Sequence, residues 1–174
     1  MLLCWCMWMS AGVVKAIEGS WRGEGIGEYP PTIAPFQFHV NLAVKVVGPL
    51  IWEVRVETKH VETAELLSIE MGSIKCQPCD NATGKIEASL VHVITGMAEV
   101  ACGNYCEDAI ELTCRNEGLC QSGFGTHPFI METRRVLQLK RNSDGNAYLE
   151  MLVEKATTEN SMQSFLVARL FQIR

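Results

Sequence analysis

The 174-residue sequence contains no apolar run approaching the roughly 20 residues that a membrane-spanning helix needs, so no spanning helix and no membrane partner are expected. It has no basic cluster either. Its 15 Lys and Arg residues are scattered among 20 acids for a net charge of −5, which argues against a nucleic-acid partner. No segment holds a helical period for the ten or more residues of an ordinary helix, which argues against helical architectures. HExxH, an ordered Ser/His/Asp set and paired acids in a cleft motif are all missing, so the residues alone point to no catalytic chemistry. No linker, low-complexity tract or internal repeat divides the chain, and a 48% hydrophobic content suffices for one core.

Strict alternation is what the sequence does have. In "GSWRGEGIGEYPP", Gly19, Trp21, Gly23, Gly25 and Gly27 fall on one face of a strand, with Ser20, Arg22, Glu24, Ile26 and Glu28 on the other. The glycine spacing is not that of a nucleotide loop, no helix follows it, and Glu24 and Glu28 would repel phosphate. A bare strand face instead admits a close neighbour, either a sharply bent strand or a flat ligand. Phe36, Phe38, Val40, Leu42, Val44 and Val46 alternate next, and Leu50, Trp52, Val54 and Val56 come after Gly48-Pro49, making a hairpin. Further strands are expected near 65–76, 84–95, 97–102, 107–114, 129–141, 146–156 and 164–173, with Asp144-Gly145 a strong hairpin signal. About ten short-linked strands predict an all-β, up-and-down antiparallel sheet, and closure into a barrel removes its exposed edges.

The first sixteen residues support two readings. "MLLCWCMWMSAGVV" has the length of a signal-peptide core and "VKA" ends at a small residue, which would place cleavage after Ala16 and the barrel domain at 17–174. Alternatively 1–16 is an apolar plug folded on the core. Cysteines bear on the choice, because losing Cys4 and Cys6 would leave an even six: Cys76, Cys79, Cys102, Cys106, Cys114 and Cys120. Asn81-Ala82-Thr83 is a glycosylation acceptor, useful only in a secreted chain. These signals favour secretion over the cytoplasm. Three disulfides would use all six cysteines, with connectivity open. Free thiols are the second possibility. The third is a zinc site of Cys76, Cys79, Cys102 and Cys106, whose paired spacing suits tetrahedral thiolates if the two turns converge.

The stretch "GSWRGEGIGEYPPTIAPFQF" resembles the opening of the nitrobindin family, a haem-binding β-barrel domain also found at the C-terminus of a THAP-type protein. Gly19, Trp21, Gly23 and Gly25 match its GxWxGxG signature, and Tyr29, Pro30, Thr32 and Ile33 match the family's Tyr-Pro-Thr-Ile segment, with one extra proline. "EMGSI", "RRVLQLKRNSDGNAYLEM" and "SMQSFLVARL" continue the likeness. The resemblance implies a roughly ten-stranded barrel with a lumen in the fatty-acid-binding-protein and lipocalin style, haem b as cofactor, and peroxynitrite isomerisation or nitric oxide binding at its iron.

The sequence departs from the family where haem is held. Phe165 in "MQSFL" occupies the position of the axial histidine, and Ser68 in "SIEMG" that of a second pocket histidine. Phenylalanine has no lone pair for iron, so no bound cofactor and no iron chemistry are expected. Among the other histidines, His39 reads as solvated and His60 and His127 as loop residues. His92 shares a face with Ile86, Ala88, Leu90 and Ile94 and is the best substitute ligand, against a satisfied core histidine as the plain alternative. This reading leaves three functions: a binding module degenerate for haem with a small apolar molecule in its lumen, a haem enzyme with an atypical ligand, or a secreted disulfide-stapled interaction barrel. The oligomeric state is left open.

Overall fold

A computed structural model of the chain describes residues 12–31, 33–79, 83–122 and 128–173; Thr32, Asn81 and His127 lie outside them, as do residues 1–11 of the expected leader. A one-turn helix α1 (Gly12–Ala16) leads into β1 (Gly19–Tyr29), β2 (Ile33–Gly48), β3 (Ile51–His60), β4 (Leu66–Pro78), β5 (Gly84–His92) and β6 (Met97–Tyr105). After β7 (Ala109–Arg115) come a 3-10 turn at Asn116–Gly118, the three-residue β8 (Leu119–Gln121), β9 (Ile130–Arg141), β10 (Ala147–Thr157) and β11 (Gln163–Ile173). Every pairing is antiparallel. β1 pairs with both β2 and β11, and β5 with both β4 and β6, so the sheet closes into a ten-stranded barrel. β8 is the extra piece: it pairs with Met97–Glu99 of β6, while β7 pairs with Cys102–Tyr105 farther along the same edge.

Alternation sets what faces in. β5 runs buried-exposed without a break from Gly84 to His92, and the inward parity of β2 buries Phe38, Val40, Leu42 and Val44. The expected strands are therefore present, with boundaries shifted by a few residues. Two small elements lack a sequence signal, α1 and β8, each too short to show a period.

One barrel end is closed by chain preceding β1. Val13, Val14 and Ile17 are fully buried there, and the Trp21 indole Nε1 donates to the Ile17 carbonyl at 2.8 Å. Each buried valine contributes about 1.5–3 kcal/mol of apolar burial.

The glycines of β1 are bare because β11 crosses them closely. A Cβ on Gly23 would come within 1.8 Å of the Arg169 carbonyl oxygen. On Gly25 it would meet the Val167 carbonyl oxygen at 2.3 Å and the Phe38 ring at 2.6 Å. The close approach of the neighbouring backbone is enough to account for the bare face at Gly23 and Gly25.

The cysteine expectations need correction. All six described cysteines are free thiols. Cys76 and Cys79 lie three residues apart, so the pleat turns Cys76 into the core and leaves Cys79 exposed. Cys102 faces outward opposite Glu87 and Thr113, and buried Cys114 faces Thr133 rather than Cys120. Disulfides need close, convergent Cβ vectors, which this arrangement denies to Cys76 with Cys79 and to Cys114 with Cys120, two of the pairings the open connectivity allowed. The zinc reading falls for the same reason: Cys76 and Cys102 occupy opposite faces of the wall, and no metal-holding group of three or more His, Cys, Asp or Glu exists among the described residues. Cys79 and Cys106 do border one surface cleft at the closed end.

Candidate functional site

The end opposite Trp21 is where the lumen opens into a cavity. It is formed by the end of β3, the start of β4, the end of β5, the start of β6 and the facing parts of β10 and β11. Its volume is about 100 Å³, and Thr58, Ser68, His92, Lys155 and Phe165 line it. Deeper in the barrel a second cavity of about 50 Å³ lies among Leu42, Val54, Leu90, Ile110 and Met151.

A β-bulge presents Phe165 to this cavity. Along β11 the even-numbered residues Leu166, Ala168 and Leu170 face in, so strict alternation would turn residue 165 outward. Val153 of β10 pairs with Leu166, yet Glu154 pairs with Ser164, which leaves Phe165 as the extra residue. Such an insertion re-aims a side chain. Phe165 accordingly packs edge-on to Tyr29, with ring centres 6.3 Å apart, and its face receives the Lys155 amine at 3.7 Å. Ser68 lines the same cavity, its hydroxyl 2.8 Å from that of Thr58. The two positions at which the sequence departs from the nitrobindin pattern thus face one space, although they stand far apart in the chain.

Beneath Lys155 lies a buried charge network. Arg135 of β9 donates from Nη1 to Glu70 and from Nε to Glu99, both at 2.8 Å. His92 places Nδ1 3.2 Å from Glu70 and Nε2 3.6 Å from Glu99, with an Arg135 nitrogen 3.4 Å from that Nε2. The Thr133 hydroxyl donates to the other Glu99 oxygen at 3.0 Å. Four strands contribute, each through an inward position that alternation would give to an apolar residue.

The network's charges set one another. Burial opposes ionisation of Glu70 and Glu99, but Arg135 and His92 outweigh it, holding Glu70 well below the usual carboxylate range and Glu99 down at about 2. Burial likewise opposes the imidazolium of His92, yet the two carboxylates raise its pKa above the ordinary histidine value. Lys155 has no carboxylate partner within ion-pair distance among the described residues, and burial pushes its amine down to about 8 against the attraction of Glu70. It is the cation of this end that the network leaves over.

The resemblance thus located Phe165 and Ser68, and alternation located His92, but Glu70, Glu99, Arg135 and Lys155 were missed. Their signal was a charged residue on the inward parity of a strand: Lys155 follows Leu149, Met151 and Val153, and Glu99 follows Met97. Trp21, Gly19, Gly23 and Gly25 belong to the other end and to the β1–β11 seam, away from this cavity. Of the remaining histidines, His39 is exposed beside Glu24 at 3.4 Å and His60 stacks on Phe36 at 6.4 Å. Ile94, grouped with His92 by alternation, lies beyond the end of β5 and is half exposed.

The architecture is a closed antiparallel barrel with a cavity at one end, and the chain belongs to the family described as the THAP4-like, heme-binding beta-barrel domain, whose model matches residues 11–172. Among its relatives, "Peroxynitrite isomerase THAP4" of Rattus norvegicus is 29% identical over 150 residues, covering 85% of this chain and 24% of that protein. "Peroxynitrite isomerase 1" of Mycobacterium tuberculosis is 34% identical over 102 residues, 57% of this chain and 58% of the other. The crystal structure of Rv2717c from M. tuberculosis superposes with a TM-score of 0.73 at 25% identity, covering 94% of this chain and 99% of that one. The chain therefore spans about a quarter of the length of the THAP4 relatives.

Proposed function

We propose that this chain is a β-barrel binding module whose lumen takes a small, largely apolar ligand in place of haem. The observation that carries the reading is Phe165, aimed by its bulge into the open-end cavity with the Lys155 amine across its face. The residues present do not suit haem. Phe165 offers iron no electron pair, the Ser68 hydroxyl is engaged with Thr58, and both His92 ring nitrogens face carboxylate oxygens. The cavity of about 100 Å³ is also well below the roughly 300–1,000 Å³ of ordinary cofactor and ligand pockets. The activity in the relatives' names is not carried over to this chain in this reading.

Backbone NMR during titration with a small apolar ligand tests it. Shifts are expected at Thr58, Ser68, Lys155 and Phe165, with Trp21 and Gly23 unmoved. Shifts spread evenly over the barrel, or none at the cavity for any small ligand, would reject the reading.

A further inference from the structure

The carboxylates at the open end are already engaged: Glu70 and Glu99 each accept from Arg135, and each faces a ring nitrogen of His92. Lys155 is left without one among the described residues. Its side chain leaves β10 on the same parity as buried Leu149, Met151 and Val153, and its ammonium sits 3.7 Å from the centre of the Phe165 ring. A ring face attracts a cation but accepts no strong hydrogen bond from it. Three N–H donors therefore border the cavity without an anionic acceptor among the described residues.

The hydroxyls across the cavity have a similar surplus. Thr58 and Ser68 sit 2.8 Å apart, so one donates to the other and the second proton of the pair is left to offer. Lys155, Thr58 and Ser68 all line the same space, whose remaining wall is apolar: Phe36, Leu67 and Leu166. A volume of about 100 Å³ is the scale of a short-chain acid rather than of a fatty acid.

We propose that this cavity is a site for a small organic monocarboxylate, its carboxylate on the Lys155 ammonium and the Thr58–Ser68 hydroxyl pair and its short tail against Phe36, Phe165 and Leu166. One carboxylate gives the Lys155 ammonium its missing acceptor. The proposal rests on the binding-module reading and sharpens it, since it commits to the head group of the ligand. It requires no chemistry of the occupant. The association is noncovalent, and every protein group it uses is already in place.

The test compares propionate with its neutral isostere propionamide by calorimetric titration, on the wild-type chain and on Lys155→Met. Methionine keeps the stem and removes the charge. The expected result is a preference of about tenfold or more for propionate in wild type, the scale of one charge-assisted hydrogen bond, and its loss in Lys155→Met. Ser68→Ala, which leaves Lys155 untouched, should weaken propionate by a smaller factor. Equal binding of the two probes in wild type would overturn the carboxylate assignment and leave the binding-module reading standing. Binding of neither probe would overturn the carboxylate proposal; the binding-module reading falls only if the apolar-ligand NMR titration also leaves the cavity unmoved.

Discussion

The guanidinium of Arg135 on β9 donates to Glu99 on β6 at 2.8 Å, spanning the inside of the barrel past the intervening strand β7. Glu99 is fully buried, and its other oxygen accepts from Thr133, so its charge depends on Arg135 and His92. Removing one member of a buried pair strands the other. Arg135→Met should therefore cost about 3–5 kcal/mol at neutral pH, read by urea denaturation. Glu70 and Glu99 have depressed pKa values in the fold, so wild type should lose stability as pH falls from the ordinary carboxylate range toward about 2. The variant should show a smaller acid loss, because its carboxylates keep only His92 to hold them ionised. A stability deficit that does not depend on pH would show that packing, not charge, is what Arg135 supplies.

Lys155 has the opposite sign. Burial lowers its folded pKa from an unfolded value near 10.5 to about 8, so between those values the unfolded chain holds more protons. Stability from this group should rise with pH across that window. Lys155→Met removes the penalty, and should raise the melting temperature at neutral pH while abolishing the alkaline rise. A lower melting temperature at neutral pH would mean that the contact with Phe165 outweighs the desolvation of the amine.

Gly23 lies where the backbones of β1 and β11 nearly touch, with the Arg169 carbonyl 1.8 Å from any added Cβ. Gly23→Val should destabilise by about 1–3 kcal/mol or more, through overpacking that the backbone cannot relieve. Gly48 provides the contrast: a Cβ there meets only the Ile51 side chain, at 3.9 Å, and Gly48→Ala should stay within about 0.5 kcal/mol of wild type. Equal melting temperatures for wild type and Gly23→Val would contradict the close-crossing account of the glycine face.

The thiols should divide into two reactivity classes. Burial pushes Cys76 up to about 12 and, with Glu99 adding to the effect, Cys114 up to about 11; both lie in the core. Cys79, Cys102, Cys106 and Cys120 are exposed. Timed alkylation with peptide mass mapping should label those four quickly and Cys76 and Cys114 only on unfolding. Recovery of Cys76 or Cys114 as a disulfide from the native protein would contradict the burial that parity gives them.

Much of the barrel was legible in the sequence because period-two alternation is a local signal. Phe36 to Val46 announces β2 without reference to any other strand, and Asp144-Gly145 announces the turn between β9 and β10. The cavity was legible in part. Phe165 and Ser68 were found through resemblance, but the inward turn of Phe165 depends on a bulge that only the β10 register reveals. Lys155, Glu70, Glu99 and Arg135 lie on four strands, and each taken alone reads as a lapse in alternation. Their meaning depends on closure of the sheet, which brings them together. The cysteines misled because spacing in the chain resembles pairing in space, whereas the pleat separates Cys76 from Cys79.

The central claim, that this lumen has exchanged haem for a smaller ligand, is tested most directly by absorption spectroscopy during haemin titration of the wild-type chain alongside Phe165→His. The histidine variant restores a lone pair at the bulge, where the wild-type cavity is about 100 Å³ and the Lys155 amine stands over the side chain. The account predicts a broad, non-saturating Soret band for both proteins. A sharp Soret band saturating at one haem per wild-type chain would contradict it.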